Sequence, residues 1–181
     1  MRTVRHSEDR MPQGPPGFEE FFRRHHPMVC RYLLWREAEH SVLEDAAQLT
    51  MLAAYRYWER VGEMKDPRGW LFKVAGQRLG DARQARHRQG LLLDAATLRD
   101  RIAAQDEVAA CDLRLDIIHA VRKLPARQQE ALVMRLQFGM DYEEIAQAME
   151  ATAATVRSHV HTGRKTLRAI LGDCDTEGDR A

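Results

Sequence analysis

Residues 141–160, DYEEIAQAMEATAATVRSHV, predict two short helices joined by a tight turn. Asp141, with Glu144 three residues later, has the pattern of a capping box, which begins a helix. Thr152 is placed to cap a second helix, and the small side chain of Ala146 lies where the two helices would cross. The stretch therefore has the pattern of a helix-turn-helix.

The second helix of this motif has an outward face typical of a DNA-recognition helix. Val156 and Val160 are placed to face the core, which leaves eight residues on the other side: Ala153, Ala154, Arg157, Ser158, His161, Arg164, Lys165 and Arg168. The guanidinium fork of Arg157 suits a guanine edge, whereas the three later cations suit phosphates. For this segment alone, an ordinary helical hairpin with a solvated basic face is the alternative.

Charge is distributed unevenly along the chain. The net charge of +1 over 181 residues does not suggest a nucleic-acid-binding protein. Residues 68–88, however, hold six Lys or Arg against one acid, and residues 157–168 hold four against none, while acid collects in residues 37–45 and 94–116. Two separate basic helices predict two contacts with one polyanion.

The remaining composition favours a binding protein of the cytoplasm. No stretch approaches the ~20 apolar residues of a membrane span, and charges stand where a signal peptide would be apolar, so we expect a soluble protein with no membrane partner. Cys30, Cys111 and Cys174 are too widely spaced for a zinc site or a disulfide framework, which predicts free thiols.

The sequence has no clear pattern of catalytic or metal-binding residues. The sequence has no Ser/His/Asp set, phosphate loop or carboxylate pair that predicts catalysis, so we expect neither an enzyme nor a cofactor. His25-His26 and His159-x-His161 lack further ligands at useful spacing, and surface or DNA-facing histidines are expected rather than a metal site.

Hydrophobic periodicity predicts an all-α fold with two small helical domains. Residues 1–17 end in MPQGPPG and are expected to be a disordered arm. The two domains are residues 18–88 and 112–171. Residues 89–111 are expected to be a linker with one short helix at most, and residues 172–181 an acidic tail.

The first domain is expected to contain three helical runs. One begins at Phe18, and a second extends from Val42 to Trp58. The third begins after Asp66-Pro67 and ends near His87, because Asp accepts the free N–H groups of a helix start and Pro has no N–H to leave unpaired.

Several stretches together resemble bacterial sigma-70-type factors, specifically the extracytoplasmic-function group. LPARQQEAL, YEEIAQAM and TVRS in the second domain resemble region 4. LEDAAQLTMLAAYRYW resembles regions 2.1 to 2.2, and DPRGWLFKVAGQRLGDARQARHR resembles regions 2.3 to 2.4. The resemblance covers roughly residues 18–171, with a short linker in place of a full region 3.

The resemblance implies a promoter-specificity subunit of RNA polymerase. Region 2 would bind the minus-ten element and region 4 the minus-thirty-five element. The implied partners are promoter DNA and the clamp coiled coil and flap of core RNA polymerase, and an anti-sigma factor is common in the family. The helix that docks on the clamp would present four residues: Asp45, Gln48, Leu49 and Leu52.

The resemblance also assigns the minus-ten contacts. VGEMKD matches the family loop that captures a flipped base, so the selectivity candidates are Glu63, Met64, Lys65 and Asp66. The candidates for contacts with the strand are Lys73, Gln77, Arg78, Arg83 and Arg86. Trp70 and Phe72 are possible stacking partners for bases, although the spacing of Trp70 with Val74 favours the core.

Four residues depart from the family pattern. Gln77 stands where Asn is usual, which concerns the minus-ten contacts, and Leu49 stands where an acid is usual, which concerns a polymerase contact. Glu150 stands in place of the usual Gly of the turn, and Thr162 in place of a frequent Arg. None of the four removes a helix.

Two other classes of function are alternatives to a sigma factor. One is a stand-alone DNA-binding regulator that uses residues 112–171 and carries a sensor or dimerisation domain in front. The other is a protein-interaction module without DNA readout. A sensor would need a ligand pocket, which no residue pattern announces, and co-purification with core polymerase would separate the three.

Overall fold

A computed structural model describes residues 14–90 and 112–177. These residues form eight helices and no strand: α1 (Phe18–Leu34), α2 (His40–Arg56), α3 (Trp58–Val61), α4 (Arg68–Gly90), α5 (Asp112–Arg122), α6 (Ala126–Gln137), α7 (Tyr142–Met149) and α8 (Ala153–Glu177). The predicted all-α class is confirmed.

Three expectations fall wholly or partly outside the described residues. They concern the arm over residues 1–13, the linker over residues 91–111 and the tail over residues 178–181. Two expected boundaries change, because α4 continues to Gly90, into the expected linker, and α8 continues to Glu177, into the expected tail.

The first domain packs α1, α2 and α4 around a shared core. Tyr32 and Phe72 are fully buried, and their rings stack with centroids 4.5 Å apart. The buried side of α2 is rich in small residues such as Ala46 and Ala54, which lets α4 approach closely. The helical run expected from Val42 to Trp58 is broken at Tyr57, where ψ of 26° ends α2 before α3 begins.

The start of α4 has the structure that its sequence predicts. The Asp66 carboxylate accepts a hydrogen bond of 3.0 Å from the backbone N–H of Arg68, and the carbonyl of Pro67 accepts the first helical bond, 2.9 Å from the N–H of Leu71. Hydrogen bonding by the Arg68 guanidinium lowers the pKa of Asp66, so this carboxylate is ionised at neutral pH.

The second domain packs α5 to α8 around Leu132, Met134 and Ile145, all of which are buried. Gly139 follows α6 with a φ of +64°, a conformation that glycine adopts without strain. Gly163 lies in the middle of α8, where an added Cβ would lie 3.5 Å from the Cβ of Gln128, so the glycine allows α8 to approach α6 closely.

The two domains pack against each other, which the sequence did not predict. Helix α7 lies against α4, and residues of both domains belong to one continuous apolar core. Six consecutive residues of α6, 129–134, are buried, so the middle of this helix is covered on every side. A solitary four-helix domain would leave one face of α6 in water.

Candidate nucleic-acid interface

Helices α7 and α8 form the predicted helix-turn-helix. The Asp141 carboxylate accepts the N–H of Glu144 at 2.7 Å, and the Glu144 carboxylate accepts the N–H of Asp141 at 2.7 Å, which confirms the capping box. Thr152 Oγ1 accepts the N–H of Thr155 at 3.1 Å and so caps α8. Both helix starts are therefore defined by local side-chain hydrogen bonds.

The turn between these helices passes through Glu150. Its φ of 51° and ψ of 49° lie in the left-handed region, and it is the one non-glycine residue with positive φ among residues 14–90 and 112–177. This conformation costs an L-residue about 1 kcal/mol, which explains why the family pattern has Gly here. The glutamate keeps the turn and adds a carboxylate to it.

The outward face of α8 is accessible, as the sequence predicted. Val156 and Val160 are buried on the inner side. Ala153 is half-buried, and the other seven predicted DNA contacts are exposed: Ala154, Arg157, Ser158, His161, Arg164, Lys165 and Arg168. The face therefore presents small residues and Arg157 on its first turns and cations further along, with no change of fold required.

Neighbouring side chains in α7 hold Arg157 in place. Its guanidinium carbon lies 5.3 Å from the centre of the Tyr142 ring, and its Nη2 lies 3.3 Å from Glu143 Oε1. Both Arg157 and Glu143 are more than half exposed, so the ion pair adds little stability. Together with the Tyr142 ring, it orients the Arg157 guanidinium. Neither of these partners of Arg157 was predicted from the sequence.

The candidate base-capture loop lies between α3 and α4. Glu63, Lys65 and Asp66 are exposed, and Met64 is half-buried. Met64 and Asp66 line a cavity of about 390 Å³, whose other wall includes Met140 and Ala148 of the second domain. Helix α7 therefore stands directly in front of the loop.

The cations of α4 that were predicted to contact DNA all have acidic partners. Lys73 Nζ lies 2.6 Å from Glu150, and Arg78 lies 3.3 Å from Asp81. Arg83 Nε lies 2.6 Å from Glu37, and Arg86 Nε lies 2.6 Å from Glu39. Gln77, the remaining candidate on this helix, is exposed.

Two aromatic residues beside these cations differ in their accessibility. Phe72 is fully buried between Tyr32 and Phe138, so it does not stack on a base in this structure, and that possibility from the sequence is wrong. Trp70 is half-buried against the core, as its spacing with buried Val74 favoured. Its ring also meets that of Tyr57 edge to face, 6.4 Å apart.

The residues expected to bind polymerase share one face of α2. Asp45 and Gln48 are exposed, and Leu49 and Leu52 are 40% and 43% exposed, a large fraction for leucine. With Ala82 and Ala85 of α4 they line an open groove. Exposed leucines beside a carboxylate and an amide form a surface suited to a protein partner.

The interface between the domains contains a buried polar cluster. Tyr32 and Arg36 of α1 face Glu130 of α6, with 3.4 Å from Tyr32 Oη to Glu130 Oε1 and 3.8 Å from Arg36 Nη1 to the same oxygen. Arg36 is 6% exposed and Glu130 8%. Burial raises the pKa of Tyr32, so it remains a neutral donor. Removing one partner of such a buried pair costs about 3–5 kcal/mol.

The histidines do not form a metal site within the described residues. His25 and His26 lie against the rings of Phe21 and Phe22, at 4.4 and 4.7 Å between centroids. No group of three or more His, Cys, Asp or Glu in residues 14–90 and 112–177 is arranged to hold an ion. None of the helices in these ranges is long and apolar enough to cross a membrane.

Comparison with known families identifies both domains. The family model described as Sigma-70 region 2 matches residues 21–89, and the model described as Sigma-70, region 4 matches residues 114–167. The chain belongs to the sigma-70 family. Each match coincides with one of the two helical domains, so the resemblance noted in the sequence is confirmed.

Relatives of this sigma factor extend over nearly its whole length. RNA polymerase sigma factor CarQ of Myxococcus xanthus is 29% identical over 89% of this chain and 92% of that protein. ECF RNA polymerase sigma factor SigL of Mycobacterium tuberculosis is 29% identical over 83% and 86%. Its group is therefore the extracytoplasmic-function one.

A solved structure has the same fold. The sigma factor RpoE from Bartonella quintana, determined in complex with the anti-sigma factor NepR, superimposes with a TM-score of 0.66 at 21% identity and covers 86% of this chain and 96% of that one. As a sigma factor, the present protein binds core RNA polymerase and promoter DNA and directs transcription initiation, without being an enzyme.

Proposed function

We propose that this sigma factor divides its promoter contacts between its two domains, with residues 18–88 on the minus-ten element and residues 112–171 on the minus-thirty-five element. The observation that carries this division is the accessible outer face of α8, opposite buried Val156 and Val160. A helix fixed in this way on a small domain has the geometry needed to enter a major groove.

In the minus-thirty-five element, Arg157 is the proposed base-reading residue. Ala153 and Ala154 would allow close approach, and Ser158 and His161 would contact neighbouring bases. The three cations further along α8 would contact phosphates, which position the helix without specifying a sequence. Their exposure and their place beyond the first turns support this assignment.

In the minus-ten element, the loop Glu63 to Asp66 is proposed to select the flipped base. Helix α4 would follow the strand backbone with exposed Gln77 and Arg83 and with half-buried Lys73, Arg78 and Arg86. Exchange of the four loop residues for those of another family member should change the preferred minus-ten sequence and leave the minus-thirty-five preference unchanged.

The groove between α2 and α4 is proposed to bind the clamp coiled coil of core polymerase, and the second domain to bind the flap. Asp45→Arg should abolish binding of core polymerase without loss of helical content, because it places the wrong charge in the docking surface. Glu19→Arg is the matched control, since Glu19 is also exposed but lies outside the groove. Unchanged affinity of the Asp45 variant for core would refute the assignment.

We further propose that the protein acts in the cytoplasm and is regulated by an anti-sigma factor. The support for the second point is similarity to sigma factors whose structures contain one, RpoE with NepR and CnrH with the cytosolic domain of CnrY. Exposed Leu49 and Leu52 are available to such a protein partner.

Run-off transcription with purified core polymerase and a promoter library would test the whole proposal. The expected result is initiation at a subset of promoters that share both elements. A stand-alone regulator would instead bind its DNA site equally well with and without core polymerase, and that result would overturn the division of contacts.

A further inference from the structure

The base-capture loop begins directly against the ring of Trp58. Trp58 is the first residue of α3, and Gly62 links that short helix to Glu63 of the loop. The N–H of Gly62 donates to the carbonyl of Trp58 at 2.8 Å, and a Cβ added at Gly62 would lie 3.1 Å from two carbon atoms of the indole. Because the φ of Gly62 is −64°, the position requires glycine for space and not for its backbone conformation. The start of the loop is therefore in close contact with the indole.

Residues 16–21 in turn hold the Trp58 ring. Its Nε1–H donates to the carbonyl of Pro16 at 3.2 Å, across 42 positions of sequence. The rings of Phe18 and Phe21 meet it edge to face, with centroids 5.3 and 5.2 Å away. A directed hydrogen bond and two edge-to-face contacts define both the position and the rotation of an aromatic ring. The orientation of the indole is thus set by residues around the start of α1.

The far end of the loop is fixed as well. The Asp66 carboxylate accepts the N–H of Arg68 at 3.0 Å, which joins the loop to α4. Exposed Glu63 and Lys65 lie between the two fixed ends. A loop that is already ordered loses less conformational freedom when it binds a base, and its polar groups stay in the geometry that discrimination requires. Loosening either end should therefore reduce discrimination between bases.

We propose that Trp58 is a positioning residue for base capture, which rests on the role of the loop Glu63 to Asp66 proposed above. Pro16, Phe18 and Phe21 fix the indole, and the indole fixes the start of the loop. Trp58 acts through the loop and does not touch the captured base. An aromatic cluster that only stabilised the domain would affect the melting temperature and leave the choice of base unchanged.

Trp58→Phe tests the proposal, because it keeps an aromatic ring and removes the N–H that Pro16 accepts. The measurement is binding of the holoenzyme to single-stranded minus-ten oligonucleotides that carry each of the four bases at the captured position. This position is the one at which exchange of the loop changes the preference. The ratio of affinities for the best and the worst base should fall at least threefold. Unfolded protein does not alter this ratio, since both affinities come from one preparation.

Trp35→Phe is the matched control for that variant. Trp35 is also half-buried, but it lies at the opposite end of α1 from Phe18. Its replacement should leave the ratio unchanged. An equal fall in both variants would mean that any loss of packing in the domain weakens discrimination, which would overturn the specific role of Trp58.

Gly62→Ala disturbs the same contact from the side of the loop. The added Cβ would displace the loop from the indole, so the ratio should again fall at least threefold while binding of core polymerase stays unchanged. Gly80→Ala is the control, since nothing lies within 4 Å of a Cβ built at Gly80.

Removal of residues 1–16 tests the contribution of Pro16. It should lower the ratio, whereas removal of residues 1–13 keeps Pro16 and should not. Combined with Trp58→Phe, the longer truncation should cause no further fall, because both changes break one hydrogen bond. Separate effects that multiply in the combined variant would contradict the link between Pro16 and Trp58.

Exchange of the whole loop separates failure of this proposal from failure of the proposed function. If the exchange changes the base preference at no position, the loop does not capture a base, and the positioning role fails with it. If the exchange does change the preference while Trp58→Phe and Gly62→Ala both keep the wild-type ratio, the loop captures a base without help from Trp58, and this proposal alone is overturned.

Discussion

Helices α4 and α8 are both basic, but their cations differ in whether a carboxylate lies beside them. The four cations of α4 proposed to bind DNA are each paired with a carboxylate, whereas Arg164, Lys165 and Arg168 of α8 form no ion pair among the described residues. The face of α8 proposed to enter duplex DNA therefore has three cations without acidic partners, beside Arg157, which pairs with Glu143. The helix proposed to follow a melted strand has its charge neutralised within the protein.

The difference has a physical explanation in terms of specificity. An exposed basic face attracts any nucleic acid through counterion release, without regard to sequence. The carboxylates paired with the four α4 cations reduce that attraction until the phosphates of a bound strand replace them. Formal charge along the sequence, which is concentrated in residues 68–88, therefore overstates the charge that DNA first meets.

The largest expected effect is at Arg157, on the outward face of α8. Arg157→Ala should cost about 1–3 kcal/mol and relax specificity at one position of the minus-thirty-five element, because the guanidinium fork matches two acceptors of guanine. Arg157→Lys is the control, since it keeps the charge and loses the fork. Holoenzyme binding to promoters varied singly through the element measures both, and equal weakening on all sequences would assign Arg157 to a phosphate.

A smaller effect is expected when one α4 cation loses its partner. Glu37→Gln should keep the hydrogen bonds from the N–H groups of Ala38 and Glu39 and lose the ion pair with Arg83. Affinity for a single-stranded minus-ten oligonucleotide should rise, by less than about 1 kcal/mol, and the salt slope should steepen by about 0.7.

Glu44→Gln is the matched control for that measurement. It removes the same charge from an exposed residue of α2 whose partner is His40 rather than a cation of α4. If both variants raise the affinity equally, the effect is one of net charge, and the paired carboxylates of α4 have no specific role.

A still smaller and uniform effect is expected at the far end of α8. Arg168→Ala should weaken binding of every promoter similarly and reduce the salt slope by about one, since a phosphate contact carries no sequence information. Lys123→Ala, an exposed cation of the same domain outside α8, should have no such effect. Loss of discrimination at one base pair in the Arg168 variant would contradict the phosphate assignment.

No effect of pH on the interdomain contact is expected between pH 8 and pH 6. Lys73 lowers the pKa of Glu150 below its ordinary value of 4.5, and Arg127 adds to the shift. A lowered pKa in the closed form means that the stabilisation is present above pH 4.5 and is lost as pH falls through the lowered value. Titration of the Glu150 carboxylate, followed by NMR, should therefore have its midpoint below 4.5, and a midpoint at or above 4.5 would contradict the pair with Lys73.

Local sequence patterns correctly predicted helix starts and buried helix faces, which depend on residues close together in the chain. The capping box of Asp141 and Glu144, the cap at Thr152 and the inward valines of α8 all form as expected, because each involves residues within one helical turn or along one helix face. The same holds for the start of α4 at Asp66.

Contacts between the domains were not predictable in this way. Glu130 meets Tyr32 across 98 positions of sequence, and Lys73 meets Glu150 across 77. The acid in residues 37–45 was visible, but nothing in its spacing indicated that Glu37 and Glu39 pair with α4. Side-chain burial across an interface depends on tertiary placement, and helical periodicity in a single sequence does not encode it.

Glu150 affects two different properties of the protein. Its left-handed backbone affects the thermal stability of the second domain, and its carboxylate affects the contact between the domains. Its strain is local to the turn and is present whether the domains are apart or together, so it lowers the melting temperature of the second domain without shifting the population of either arrangement. Its carboxylate acts only when the domains meet. Glu150→Gly should thus make the protein more heat-resistant and more open at once, so that a gain in thermal stability would accompany a less compact molecule.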